Sequence, residues 1–235
     1  MKAKISNREI WSIALPIMLG NMAQTIINFT DTAFLGHVGV IALGASMLAG
    51  LFYLLFTTVA AGFAIGIQII VARRFGEKNF SRIGVIFEHG SLFVLLLGSI
   101  LFSVLYFFSD RLLLLLIDSP NLYDASVEYI KYRQFGILFV CFNYLYRALY
   151  VGISNTKVIT YSTLIMAVVN ILLDYCLIFG NLGFPQMGIS GAALASLSAE
   201  LSAFIFFTAY SYITLRKKEF GIFKAYRLES ELMGR

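Results

Sequence analysis

Six stretches of this 235-residue chain are apolar for the roughly 20 residues that a helix needs to cross a bilayer. They run over 10–35, 45–72, 84–108, 126–151, 157–180 and 189–214. Charged residues make up 13% of the chain and hydrophobic ones 59%, with a mean hydropathy of +0.82. A soluble domain carries about 25% charge. The expected fold is an all-α membrane protein, a six-transmembrane-helix bundle over residues 10–214. Residues 1–9 are expected to form a cytoplasmic N-terminus. Residues 215–235 are expected to form a basic cytoplasmic tail or inter-lobe linker lying near anionic lipid.

The breaks between runs have loop chemistry: Gly36-His37-Val38-Gly39, the polar stretch Arg73 to Asn79, Asp118-Ser119-Pro120-Asn121, Gly152 to Lys157, and Gly183-Phe184-Pro185. The first run is too long for a signal-peptide core. One side of the implied membrane collects Lys2, Lys4, Arg8, Arg73, Arg74, Lys78, Arg82, Lys157, Arg216, Lys217, Lys218, Lys224, Arg227 and Arg235. The other holds Arg111, Lys131 and Arg133 among Asp110, Asp118, Asp124 and Glu128. The positive-inside rule then puts both termini in the cytoplasm, with the protein multi-pass in the cytoplasmic (inner) membrane. The net charge of +5 gives no reason to expect a nucleic-acid partner. Cys141 and Cys176 lie in apolar runs and read as small buried hydrophobes. His37 and His89 are far apart and lack cysteine neighbours, so no metal site is expected beyond Na⁺ at the acids described next.

Asp31 and Asp174 lie within apolar runs. A charge at bilayer depth costs at least a few kcal/mol, and such residues face a cavity, a partner or an ion path. On the first run Asn21, Gln24, Asn28 and Asp31 are spaced three, four and three, which puts them on one helical face. Interhelical hydrogen bonding accounts for the amides alone; a carboxylate closing the stripe points to a water-accessible cavity lined by these residues. Pro16 removes one hydrogen bond from the same helix and makes it a candidate hinge, or a static bend. Asn170 and Asp174 form an i, i+4 pair, as do Asn143 and Arg147; Arg147 could instead snorkel to the interface. On the last run Gly191, Ala195, Ala199 and Ala203 form a ridge for close packing. Beside it Ala192, Ser196 and Glu200 add a third acid, which lines the same cavity or meets a partner helix. If Asp31 and Asp174 meet, they cannot both ionise cheaply and titrate as a unit. Such a pair would hold H⁺, or Na⁺ with Asn170 and Ser196 as neutral oxygen ligands.

Three blocks carry a resemblance. They are Ile27 to Gly39 around Asn28-Phe29-Thr30-Asp31, then Arg147 to Gly152 into Asn155-Thr156-Lys157, and Asn170 to Asp174 through Gly180-Asn181-Leu182-Gly183-Phe184-Pro185 to Gly188-Ile189-Ser190-Gly191-Ala192-Ala193-Leu194-Ala195. In that order they resemble the N-terminal half of the multidrug and toxic compound extrusion (MATE) transporters. The resemblance implies a cation- or proton-coupled multidrug efflux antiporter, built as two six-helix lobes, of which this chain is one. It implies no cofactor, only H⁺ or Na⁺ as coupling ion, and an amphipathic or cationic small molecule as substrate. Membrane lipid and a second six-helix lobe are the implied partners. It assigns the cation or proton site to Asp31, Asn170 and Asp174, with Ser196 and Asn143 as further members. The family is about twice as long, so the expectation is a half-length or truncated form: a fragment of a longer gene, a split half, or a half-size protein that pairs with its own copy.

Two other classes compete. Gly188-Ile189-Ser190-Gly191 reads as the GxSG of an intramembrane serine protease, but that chemistry needs a base and no histidine follows Ser190. No enzyme is expected. A non-coupled channel, or an assembly subunit of a membrane complex, would need a ring of like residues that one chain does not supply.

Overall fold

The computed structural model describes residues 7–215 and 220–221, with side chains described from Trp11 onward except Ser12 and Ile13. The expected N-terminal segment lies largely outside the described residues, and so does nearly all of the basic tail. The described residues form helices α1 (Asn7–Val38), α2 (Val40–Gly76), α3 (Phe80–Leu114), α4 (Pro120–Arg133), α5 (Ile137–Gly152), α6 (Lys157–Phe179) and α7 (Ile189–Thr214). Short 3₁₀ turns occupy Gln134–Gly136 and Asn181–Gly183. No strand occurs among the described residues.

Among the described residues, five helical segments are long and apolar enough to cross a bilayer: α2, α3, the continuous rod Pro120–Gly152 made by α4 and α5, α6 and α7. α1 spans 32 residues but carries the polar stripe, and it is not among the five. The chain is thus a multi-pass membrane protein. Its surface is that of a lipid-embedded bundle: Phe29, Leu51, Leu96 and Phe107 are exposed, while Asn170, Asp174 and Glu200 are buried.

Local chemistry sets the joints. α1 and α2 are separated by Gly39 alone, at φ 149°, a left-handed-side conformation that favours glycine. Pro120 opens α4, where its missing N–H is no loss. After α6 the chain turns at Gly180 and folds back. There Met187 N–H donates to the Leu177 carbonyl (2.8 Å) and Gly188 N–H to that of Ile178 (3.3 Å), which satisfies the helix end.

α6 is the hub on one side, packing against both α1 and α7; α2 packs against α3, α4 and α5 on the other. The two sides meet where α7 lies along α4 and α5. The small ridge lets α7 come close: Gly191, Ala195, Ala199 and Ala203 are all buried. A Cβ at Gly191 would sit 2.7 Å from the Leu177 carbonyl. Further along, Tyr146 of α5 stacks on Phe207 of α7 (centroids 5.4 Å apart), and Tyr150 Oη is 2.7 Å from Ser211 Oγ.

One charged segment lies elsewhere than its sequence suggests. Arg133, counted among the charges on the outer side, sits within the Pro120–Gly152 rod with its side chain 13% exposed. The fourth run begins as a helix at Pro120, and its charges find partners on α7.

Candidate cation site

Asp31 lies near the C-terminal end of α1 and Asp174 near that of α6, and these two helices pack side by side. Their carboxylates lie close enough to interact. Asp174 is fully buried, and neither of its oxygens has a donor among the described residues. Asp31 Oδ1 is in the same position. Both groups are acceptors when ionised, so their contact becomes a hydrogen bond only with a proton between them. One turn before Asp174, Asn170 is 1% exposed, and its amide oxygen and nitrogen also lack partners among the described residues. Buried polar atoms are normally satisfied. Five orphaned atoms on three residues form a set of oxygen acceptors and one amide donor suited to a proton or a hard cation.

The remaining sequence candidates fall into different places. Ser196 is half-buried on α7. Asn143 donates from Nδ2 to the Glu200 main-chain carbonyl (3.0 Å), with its own Oδ1 buried and unpartnered among the described residues. Asn21 and Asn28 are exposed on the open face of α1, and Gln24, half-buried, donates to Asn28 Oδ1 at 3.4 Å. Pro16 is tied to α6, where Thr160 Oγ1 donates to its carbonyl at 2.6 Å.

Of the two places open to Glu200 in the sequence, it takes the one against a partner helix. It is 8% exposed and closed into a two-pronged ion pair with Arg133. Nη1 of Arg133 donates to Oε2 at 2.6 Å, and Nη2 donates to Oε1. The guanidinium carbon stands 4.2 Å from the ring centroid of Tyr53 on α2, and Nη1 reaches its hydroxyl at 3.4 Å. Gly136 makes room, since a Cβ there would strike both Glu200 and Arg133. α4 and α7 are thus joined by Arg133 with Glu200. A second link joins Ser190 Oγ to Glu128 Oε1 at 2.5 Å. That bond accounts for the serine of the GxSG motif, while His37 Nδ1 bonds the Ala33 carbonyl on its own helix.

Sequence reasoning passed over Tyr53, Tyr129 and Arg133. Tyr129 and Arg133 are four apart within the 126–151 run, a same-face spacing the sequence already offered. Tyr53 carries no such mark, because tyrosine is common in membrane helices. Among the described residues, no group of three or more His, Cys, Asp or Glu side chains gathers as a metal site.

The family model described as MatE matches residues 16–176, a span that includes Asp31, Asn143, Asn170 and Asp174. The chain is 29% identical over 211 residues to a probable multidrug resistance protein NorM of Agrobacterium fabrum, covering 90% of this chain and 45% of that protein. It is 32% identical over 189 residues to the probable NorM of Rhizobium meliloti, covering 80% and 40%. Among solved structures it resembles a MOP superfamily transporter from Pyrococcus furiosus, with a TM-score of 0.86 and 23% identity over 96% of this chain and 49% of that one. A multidrug resistance MATE family transporter in an outward-facing conformation matches with a TM-score of 0.84, again at 23% identity, over 96% of this chain and 49% of that one. At that identity the likeness concerns the fold. The chain spans about half the length of the curated relatives it matches.

Proposed function

The chain belongs to the MatE family, and from that premise we propose that it forms the N-lobe of a multidrug efflux antiporter driven by H⁺ or Na⁺. Members of the family are transporters and not enzymes. The observation that carries the coupling reading is the orphaned set on α1 and α6: Asp31 Oδ1, both oxygens of Asp174 and the amide of Asn170. An apolar bundle that buries unpaired acids leaves them to a cation from outside, and the relevant cation is the one whose gradient is spent. Asp31, Asn170 and Asp174 bind the ion, with Ser196 and Asn143 at the edge of the pocket. A bound ion changes the lobe only by favouring one packing over another. The α1/α6 seam, pinned by Thr160 on the Pro16 carbonyl, is the element that such a preference biases.

The substrate is an amphipathic or cationic small molecule held between this lobe and a second one, supplied by another stretch of chain or a second copy. Asn21 and Asn28, exposed on α1, are polar groups that a lone lobe would present to lipid. A second lobe turns that face into a cavity wall. The termini lie in the cytoplasm, on the side where lysine and arginine concentrate.

The test is export of a fluorescent amphipathic cation from vesicles carrying the protein, driven by an imposed proton or Na⁺ gradient. Asp31→Asn with Asp174→Asn is expected to reduce gradient-driven export to the background of empty vesicles, with helix content and membrane insertion unchanged. Export at the wild-type rate in the double variant rejects the assignment, and flux that needs no counter-gradient makes the protein a channel.

A further inference from the structure

In its first turns α3 is buried on every side. Ile83, Gly84, Val85, Ile86 and Phe87 are consecutive and all buried, whereas further along the same helix Leu92, Phe93, Leu95 and Leu96 are exposed. A helix at the rim of a bundle buries one stripe, and five residues in a row go right round it. Part of the extra cover comes from the chain beyond α7, where Phe220 and Gly221 lie on α3. Phe220 is 9% exposed. Its ring meets that of Phe80 edge to face, with centroids 5.4 Å apart. Phe80 in turn lies against Phe75 in the last turn of α2, at 5.7 Å. Gly84 makes the seat: a Cβ there would strike the Phe220 carbonyl oxygen and come within 3.0 Å of the Gly221 carbonyl carbon. Both are main-chain atoms, so no side chain can swing aside to relieve the clash. Gly221 is itself at φ 63°, in the left-handed region that favours glycine.

We propose that Phe220 and Gly221 form a clip that fixes the C-terminal end of α7 to the α2/α3 corner and confines movement of α7 to its other end. The clip joins the two sides of the bundle: α3 packs on α2, α4 and α5, while α7 packs on α4, α5 and α6. The same end of α7 is held twice more. Ser211 Oγ is 2.7 Å from Tyr150 Oη, and Leu215 is 1% exposed. The opposite end of α7 follows the turn over residues 180–188, where Gly188 N–H reaches the Ile178 carbonyl at 3.3 Å. A helix pinned at one end and led by a loop at the other turns about the pin. The clip stands on contacts outside the acid pocket, and it does not depend on which ion Asp31 and Asp174 take.

The test is amide hydrogen–deuterium exchange of the purified full chain, in wild type and in F220A, G84A and G98A. Exchange reads local opening. F220A takes the ring out of the seat, and G84A fills the seat. Both are expected to speed exchange several-fold over residues 211–215 and 83–87, and to leave residues 189–195 at the wild-type rate. G98A is the control. Its Cβ would crowd the end of the Leu138 side chain at 2.9 Å, in the middle of α3 and away from the clip. It is expected to leave residues 211–215 unchanged. Either F220A or G84A decides if the other fails to fold. Exchange over residues 211–215 equal to wild type in the variant that folds overturns the proposal. So does equal acceleration along the whole of α7 in that variant, or an acceleration in G98A that matches it.

Discussion

Two regions of this bundle bury carboxylates in apolar surroundings, and they do so in opposite ways. On the α4/α7 seam the buried acid is answered: Glu200 by Arg133, and Arg133 also by Tyr53. On the α1/α6 seam Asp174 is fully buried, with both oxygens unanswered among the described residues. A buried acid whose counter-charge is built into the chain is locked; one whose counter-charge must arrive can respond to a gradient. The same residue type is locked into the architecture in one place and left unanswered in the other.

The largest effect that could break this comparison is on transport. Removing the unanswered acids with D31N and D174N is expected to end coupled export while leaving the bundle folded, because no partner within the chain is orphaned by the change. Next in size is the answered pair. Arg133→Met leaves Glu200 buried without its cation and is expected to destabilise the fold by about 3–5 kcal/mol, whereas Arg133→Met with Glu200→Leu should come out near neutral or more stable. Thermal unfolding of the purified protein checks both. Equal losses in the single and double variants would mean that the pair acts through packing and not through charge.

Gly136→Ala sharpens the same point at smaller scale. Its Cβ would strike Glu200 and Arg133, so overpacking is expected to cost about 1–3 kcal/mol in the same unfolding experiment. The smallest effect belongs to a surface acid. Hydrogen bonds from Arg74 and Arg73 hold the Glu77 carboxyl below its ordinary range. A lowered group stabilises the fold above its unfolded range and loses that contribution as pH falls through its folded value. Glu77 is fully exposed, so Glu77→Gln is expected to flatten the acid limb of a stability–pH curve only slightly, and to leave stability near neutral pH almost unchanged.

How much of this was legible in the sequence follows from what each signal averages over. Long apolar runs announce helices by themselves, and the spacing of Asn21, Gln24, Asn28 and Asp31 needs no partner to be seen. Asn170 and Asp174 were readable as a same-face pair because both lie on one helix. The ion pair was not readable, because Arg133 and Glu200 are 67 residues apart and each is unfavourable alone. In the sequence Asp124, Glu128, Lys131 and Arg133 count toward the outer side although the apolar run is drawn from residue 126, yet α4 is helical from Pro120 and α7 supplies the answering groups. That assignment places Arg133 on the outer side and leaves the partner of Glu200 unnamed. The role of Gly136 was hidden for the same reason, since the volume it spares belongs to side chains on two different helices.

The most direct measurement is ion uptake by the purified chain, proton uptake by potentiometry and Na⁺ by radiolabel, in wild type and in the D31N/D174N variant. The account predicts uptake of H⁺ or Na⁺ in wild type that is absent from the double variant. Undiminished uptake in the double variant would contradict it.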